Sequence, residues 1–226
     1  MVKGVYRLGA FASLRAGTDF PGRGGTMIAI IDYGAGNLHS VKNALDFLGA
    51  ECVVTGNADE IKNADKVILP GVGAFGDAMK CLRESGLSET VKEVISDGKP
   101  FLGICLGLQM LFEESEETPN VKGLGVFKGK SVKIPDTGLK IPHMGWNSIT
   151  VTKDSKILKN IGDEPYVYFV HSYYIVPEDE SIVSAYTEYG AKLDIAVEKD
   201  NVFATQFHPE KSGDLGLTIL RNFVEL

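Results

Sequence analysis

The chain has 226 residues, and 44% of them are hydrophobic, which is enough for the core of one domain or a small two-layer unit. Its net charge of −7 argues against a general nucleic-acid surface, and it contains no apolar run long enough to span a bilayer. Its three cysteines are odd in number and scattered, as in a protein of the reducing cytosol, and neither cysteines nor histidines are spaced as metal ligands. We therefore expect a cytoplasmic protein that needs no metal or cofactor and binds neither a membrane nor nucleic acid.

The first 26 residues differ from the rest in charge and in glycine content. Four basic residues against one acidic residue give this segment a net charge of +3, which leaves −10 for residues 27–226. Six glycines interrupt any periodic pattern in it, and it lacks the long apolar core of a secretory signal. We expect residues 1–26 to be a flexible extension that need not be native, with an organelle-targeting arm as the alternative, and residues 27–226 to form the functional domain.

Strand and helix signals alternate through the first half of the chain. Strands are predicted at 28–32, 52–54, 67–69 and 101–104, and helices at 38–48, after Ser88 and at 106–114. Such alternation predicts a parallel sheet with helices on both faces. In sheets of this kind, sites form at the carboxyl ends of the strands, and Gly34–Asn37, Gly71–Gly73 and Cys105 all fall at such ends.

The second half of the chain contains strand signals with few helices between them. Strands are predicted at 131–134, 148–152, 167–170, 182–185, 193–197 and 202–207. Ser212 is predicted to cap a last helix whose Leu215, Ile219 and Phe223 face the core. The fold class is therefore α/β, with a mostly parallel central sheet flanked by helices and an antiparallel flank in the second half.

A cysteine stands where the strand that ends at Ile104 meets the next predicted helix. Gly103 and Gly107 flank Cys105 at two residues on either side, and such small flanks let a strand turn sharply into a helix with a nucleophile at the bend. The helix dipole favours the thiolate, which is the reactive form. We predict that Cys105 is a catalytic nucleophile, with a buried, inert cysteine as the alternative.

His208 is the best candidate for a base among the four histidines. It ends the apolar run 202–207, and Glu210 lies two residues further on, on the same side of an extended chain. Glu210 can therefore hold the imidazole in one tautomer, which completes a triad with Cys105. The alternative is a solvated His-Pro-Glu turn.

A glycine-rich loop, Pro70–Gly73, follows the strand predicted at 67–69. Glycines let a backbone approach a ligand closely, so the N–H of Val72 or Gly73, together with that of Leu106, is predicted to bind a developing oxyanion. An ordinary turn between a strand and a helix is the alternative.

Several of these segments together resemble one family. The pattern Gly103-x-Cys105-x-Gly107-x-Gln109, the Pro-Gly-Val-Gly loop and His208-Pro209-Glu210 resemble class I glutamine amidotransferases. Within this class, four segments resemble the HisH family, the glutaminase subunits of imidazole glycerol phosphate synthase: Asp32–Asn37, Leu69–Phe75, Pro142–Asn147 and His208–Ser212. The resemblance runs from about Met27 to the C-terminus.

The resemblance implies a flavodoxin-like fold and a glutaminase with Cys105, His208 and Glu210 as its catalytic triad. The ammonia released would pass to a cyclase subunit, HisF, in a heterodimer that makes imidazole glycerol phosphate and aminoimidazole carboxamide ribotide in histidine biosynthesis. The resemblance also implies substrate binding by Gln109, His171, Ser172 and Tyr173, and a partner interface that includes Asn37, Trp146 and Lys211. Trp146 is expected in a loop.

Three other functions stay open at this point. The chain could be another class I glutaminase, such as a subunit of a pyridoxal-phosphate synthase, although the Pro-His-Met-Gly-Trp-Asn segment argues against that. It could be a free cysteine hydrolase or peptidase of similar fold, or a non-catalytic binding module. For the glutaminase we expect low activity of the chain alone, because the glycine-rich loop can adopt more than one backbone state.

Overall fold

A computed structural model of the chain describes residues 26–226, so the predicted N-terminal extension lies, except for Thr26, outside the described residues. The strands are β1 (Ile28–Ile31), β2 (Cys52–Thr55), β3 (Lys66–Gly71), β4 (Phe101–Cys105), β5 (Phe112–Ser115), β6 (Phe127–Lys133), β7 (His143–Ser148), β8 (Thr150–Val151), β9 (Tyr166–His171), β10 (Tyr173–Pro177), β11 (Val183–Glu188), β12 (Lys192–Lys199) and β13 (Val202–Thr205). The α-helices are α1 (Leu38–Phe47), α2 (Ala58–Asn63), α3 (Phe75–Glu84), α4 (Leu87–Ser96), α5 (Leu106–Met110) and α6 (Gly213–Val224).

One large sheet organises the fold, in the order β2-β1-β3-β4-β13-β12-β10-β6-β5. The first five strands of this order are parallel to one another, and β12, β10 and β6 continue the sheet with antiparallel pairings. Beside this path, β11 pairs with β12 and β8, while β7 and β9 form a separate antiparallel pair. The predicted α/β fold, with a parallel centre and an antiparallel flank, is confirmed.

The core lies on both faces of the parallel strands. All four residues of β1 are fully buried, and alternate residues of this strand belong to two different hydrophobic clusters. Burial on both faces explains why the central strands are continuous apolar runs. On α6, Ile219 and Phe223 are fully buried as predicted, whereas Leu215 is only partly buried. Within residues 26–226, none of the helices is long and apolar enough to cross a membrane.

The helix predicted at 106–114 was wrong beyond its first turn and a half. Helix α5 ends at Met110, and the chain continues as β5, which pairs in parallel with β6 at the edge of the sheet. Phe112 is fully buried, with its ring centroid 5.6 Å from that of Phe127, and the hydroxyls of Ser115 and Ser131 are hydrogen-bonded at 2.7 Å. These contacts across the sheet outweigh the helical preference of the Leu-Phe-Glu-Glu run.

Candidate active site

Cys105 is the last residue of β4 and directly precedes α5. Its φ of 57° is unusual for a residue with a side chain, and such a strained backbone presents the thiol at a sharp bend. Two glycines allow the bend. A Cβ at Gly107 would overlap the carbonyl oxygen of Leu69, and a Cβ at Gly103 would lie 3.0 Å from the carbonyl group of Gly107. Helix α5 can therefore pack directly on β3.

The sheet brings His208 beside Cys105. Strands β4 and β13 are parallel neighbours in which Thr205 pairs with Ile104, so the residues that follow both strands lie at the same edge. The backbone of His208 is held by Ser212, whose hydroxyl donates to the His208 carbonyl at 2.7 Å. The predicted capping of α6 by the Ser212 side chain was therefore wrong, because the hydroxyl fixes the histidine turn instead.

Glu210 lies beside the imidazole of His208 as predicted, but Pro209–Lys211 form a 3-10 turn, so the extended chain from which this was predicted was wrong. The Nδ1 of His208 lies 2.8 Å from Oε1 of Glu210, and the two side chains are 2% and 0% exposed. Asn37, which was expected only at the partner interface, also donates to this oxygen, at 3.4 Å. A buried carboxylate with these partners can fix the tautomer and stabilise the charged imidazolium.

The charges around His208 favour its protonated form. Burial lowers the pKa of His208, but the sulfur of Cys105 and the carboxylate of Glu210 outweigh burial and raise it to about 10. Since Nδ1 is bound to Glu210, Nε2 is the ring atom that can exchange a proton with Cys105 or with a bound substrate. Among residues 26–226, this Nε2 has no hydrogen-bond partner. Cys105 and His208 can thus act as a thiolate–imidazolium pair.

One cavity of about 310 Å³ opens at this edge of the sheet. It is lined by nine of the ten residues predicted for catalysis, the oxyanion site and substrate binding: Val72, Gly73, Cys105, Leu106, Gln109, His171, Ser172, Tyr173 and His208. The tenth, Glu210, lies behind the imidazole of His208. A cavity of this size suits a small metabolite.

Glu117 lines the same cavity and was missed in the sequence. Its Oε2 accepts a hydrogen bond of 2.7 Å from the backbone N–H of Phe75, at the N-terminus of α3. Glu117 therefore places a carboxylate in the cavity wall. It belongs to an acidic run, Glu113–Glu117, which in a sequence is typical of a solvated surface, so no local signal distinguished it.

Three of the four predicted substrate-binding residues, Gln109, His171 and Tyr173, are joined by hydrogen bonds. The Nε2 of Gln109 donates to the carbonyl oxygen of Tyr173 at 3.2 Å and to Oε1 of Gln206 at 2.9 Å. The ring of His171 contacts the same carbonyl through Nδ1 at 2.9 Å, and burial lowers the pKa of His171 to about 3. His171 is therefore neutral, and it contributes no positive charge to the wall of the cavity that it lines.

The residues predicted for a partner interface lie at the surface close to this edge. Trp146 is 56% exposed and, two residues before it on the same face of β7, Met144 is 62% exposed. The expectation that Trp146 lies in a loop was wrong, because β7 pairs with β9 along its whole length. Lys211 is exposed, and Asn37 is half-buried. Two large apolar side chains on one strand face favour protein contact.

Comparisons with known proteins agree with this geometry. The family model described as glutamine amidotransferase class-I matches residues 29–226. A protein of Caldanaerobacter subterraneus subsp. tengcongensis, named imidazole glycerol phosphate synthase subunit HisH, is 54% identical over 200 residues, which cover 88% of this chain and 98% of that protein. A protein of the same name from Methanocaldococcus jannaschii is 52% identical, with coverage of 88% and 100%.

Solved structures share the fold at low sequence identity. The structure of PurLQS from Thermotoga maritima superimposes with a TM-score of 0.71 at 22% identity, covering 89% of this chain and 98% of that one. A structure described as a glutamine amidotransferase gives a TM-score of 0.69 at 23% identity with the same coverage. The chain belongs to the class I glutamine amidotransferase family and, within it, to the HisH subunits of imidazole glycerol phosphate synthase.

Proposed function

We propose that this chain hydrolyses glutamine to glutamate and ammonia and supplies the ammonia to imidazole glycerol phosphate synthesis in histidine biosynthesis. The observation that carries the proposal is the meeting of Cys105 and His208 at one small cavity, with Glu210 bound to the imidazole behind it. It occurs in a chain that is about half identical, over nearly their whole length, to proteins named HisH.

In the first half-reaction, the thiolate of Cys105 attacks the carboxamide carbon of glutamine, and the carbonyl oxygen becomes an oxyanion. Leu106, Val72 and Gly73 line the cavity, and the N–H groups of Leu106 and of Val72 or Gly73 would stabilise this charge. The imidazolium of His208 gives its Nε2 proton to the amide nitrogen, the carbon–nitrogen bond breaks, and ammonia leaves. A γ-glutamyl thioester remains on Cys105.

In the second half-reaction, the now neutral Nε2 of His208 takes a proton from water, which attacks the thioester carbonyl. The carbon–sulfur bond breaks, glutamate leaves, and the thiolate–imidazolium pair is restored. Glu210 stabilises the imidazolium in both halves because it lies 2.8 Å from Nδ1. Only glutamine and water are consumed, and Cys105 and His208 return to their initial state, as in the simple hydrolysis of an amide.

The cavity wall supplies groups suited to the amino-acid end of glutamine. Glu117 offers a carboxylate for the substrate ammonium group, and Ser172 and Tyr173 line the cavity together with Gln109. Both charged ends of a free amino acid would thus contact polar groups of the cavity wall. In a peptide, an uncharged peptide bond would replace one or both of these ends, and the polar groups of the wall would lose their charged partner. This favours free glutamine over a peptide as the substrate.

The names of the relatives describe one subunit of a synthase, so a partner subunit is expected. We propose that it is the cyclase HisF and that it covers the exposed face of Trp146 and Met144, with Asn37 and Lys211 beside the triad. Ammonia would then pass to the ribotide substrate on the cyclase without release to solvent. The expected complex is a heterodimer in the cytoplasm.

Glutamate production from glutamine tests the proposal, measured for the purified chain alone and with the cyclase plus its ribotide ligand. We expect activity that depends on the liganded partner and is absent in Cys105→Ala. Cys81→Ala is the matched control, since Cys81 lies on α3 outside the cavity lining. Hydrolysis of peptides or esters with glutamine ignored would favour a cysteine hydrolase, and activity that needs a different synthase would contradict the assigned partner.

A further inference from the structure

The side chain of Gln206 lies beside the nucleophile, and the mechanism above does not use it. Gln206 is fully buried and follows β13, two residues before His208. Its Nε2 lies 3.6 Å from the sulfur of Cys105, which is within hydrogen-bond distance for a sulfur acceptor. Its other amide atom, Oε1, accepts from Gln109 at 2.9 Å. Both ends of this amide are thus engaged with residues of the candidate active site.

The contacts of Gln109 fix which end of the Gln206 amide faces the sulfur. The carbonyl oxygen of Tyr173 can only accept, so the Gln109 atom that lies 3.2 Å from it must be the donor Nε2. The same Nε2 contacts Gln206, which must therefore present Oε1 there. The NH₂ group of Gln206 is left to face Cys105.

The orientation is continued behind the cavity wall by two histidines. The carbonyl of Tyr173 also accepts from Nδ1 of His171 at 2.9 Å, so Nε2 of His171 is an acceptor and receives a hydrogen bond from Nδ1 of His143 at 3.0 Å. Asn147, whose Nδ2 donates to the carbonyl of Glu188, also donates to His143 at 3.3 Å. The donor and the acceptor of each hydrogen bond in this series, from Asn147 to Tyr173, are therefore defined, and the series holds the carbonyl of Tyr173 in place.

We infer that Gln206 is a further catalytic residue, which donates an amide hydrogen bond to the thiolate of Cys105. A hydrogen-bond donor stabilises a charged acceptor such as the thiolate and holds it in the geometry needed for attack. Helix α5 has only five residues, so its dipole is weak. A side-chain N–H donor at the sulfur supplies a directed hydrogen bond that the helix alone does not. The inference rests on the proposed function only in taking Cys105 as the nucleophile.

The alkylation rate of Cys105 by iodoacetamide, measured from pH 5 to pH 10 by peptide mass spectrometry, tests this role. The peptide readout separates Cys105 from Cys52 and Cys81, and it does not need glutamine turnover. In Gln206→Met, which matches the chain length without a donor, we expect the rate profile to move to higher pH by about one unit, since a hydrogen bond to a charged group contributes on that order.

Two further variants keep the test decisive. Gln206→Glu can still accept from Gln109 but lacks the amide donor, and we expect a shift at least as large because its charge repels the thiolate. Thr205→Val removes a neighbouring buried hydroxyl, which bonds to the Phe207 carbonyl at 3.1 Å, and should leave the profile in place. Urea unfolding shows that each variant is folded.

An unchanged alkylation profile in folded Gln206→Met and Gln206→Glu would overturn the inference and leave Gln206 as a packing residue. A shift of equal size in Thr205→Val would also overturn it, because the effect would then be general destabilisation of β13. If the pH shift were found in a chain that hydrolyses no glutamine under any condition, the Gln206 contact would stand and the proposed function would fail.

Discussion

Gly71 lies at the end of β3, opposite Cys105 in the pairing of β3 with β4. A Cβ at this position would lie 2.9 Å from both the Cβ of Leu106 and the backbone nitrogen of Gly107, and 3.0 Å from the hydroxyl of Tyr33. The methyl group added by Gly71→Ala would therefore displace the first turn of α5 away from β3. That turn begins directly after Cys105, the proposed nucleophile, and carries Leu106, one of the proposed oxyanion donors.

The size of the displacement follows from these contacts. Ordinary contacts of a Cβ begin at 3.4 Å, so the helix turn and the Gly71 backbone must separate by at least 0.5 Å (3.4 − 2.9). Overpacking of this kind costs about 1–3 kcal/mol of unfolding free energy. A misplacement approaching about 1 Å at reacting groups costs roughly 100-fold in rate, so we expect a fall in kcat of about 10- to 100-fold.

Glutamate formation with the liganded partner, together with urea unfolding, measures both effects. Gly56→Ala is the matched control: its Cβ would lie 2.8 Å from the carbonyl oxygen of Asp32, but Gly56 follows the edge strand β2, three positions from β4 in the sheet. We expect it to lose similar stability and to keep kcat within about threefold, as for a packing change away from the reacting groups. Wild-type turnover in a folded Gly71→Ala protein would refute the idea that the close packing of α5 on β3 supports Cys105, the proposed nucleophile.

Glu210→Gln should lower kcat by about 100-fold or more and move the alkaline limb of the pH–rate profile to lower pH, because Glu210 helps to raise the pKa of His208; an unchanged profile would contradict this. Burial lowers the pKa of His143 to about 4 and of His171 to about 3, so unfolding takes up protons below pH 6.5. The contribution of these two histidines to stability should be complete above pH 6.5 and should fall below it by up to about 1.4 kcal/mol per pH unit for each histidine; urea unfolding at pH 6 and pH 5, where His208 is largely protonated in both the folded and the unfolded state because its folded pKa is raised, measures this loss, and equal unfolding free energies would refute it. Trp146→Ala should weaken cyclase binding at least about tenfold by calorimetry while the unfolding free energy stays within about 0.5 kcal/mol, because the side chain is 56% exposed; equal affinity would place the interface elsewhere.

The parts of the fold that the sequence predicts are those with local causes. Strand β1 and the strand before Cys105 are apolar runs because both of their faces are buried. Helix α2 was missed although its signal is local: the Asn57 side chain accepts from the N–H groups of Asp59 and Glu60, as a helix-capping residue does.

Other features could not be read locally because distant segments create them. Helix α3 follows Ala74, which has no capping side chain, and its first N–H is bound instead by Glu117, 42 residues away. Strand β5 is held by contacts with β6 rather than by its own pattern. The contact between His208 and Glu210 was predictable because their spacing is local, whereas the position of Glu117 in the cavity depends on the whole sheet.

Labelling with a glutamine analogue that carries a γ-chloroketone in place of the carboxamide tests whether Cys105 is the nucleophile that attacks glutamine. The thiolate of the nucleophile displaces chloride and forms a stable thioether, which peptide mass spectrometry locates. We expect one adduct per chain, on Cys105, prevented by excess glutamine and matched by loss of glutaminase activity. Labelling of Cys52 or Cys81 with Cys105 unmodified, or labelling of Cys105 that glutamine does not slow, would contradict it.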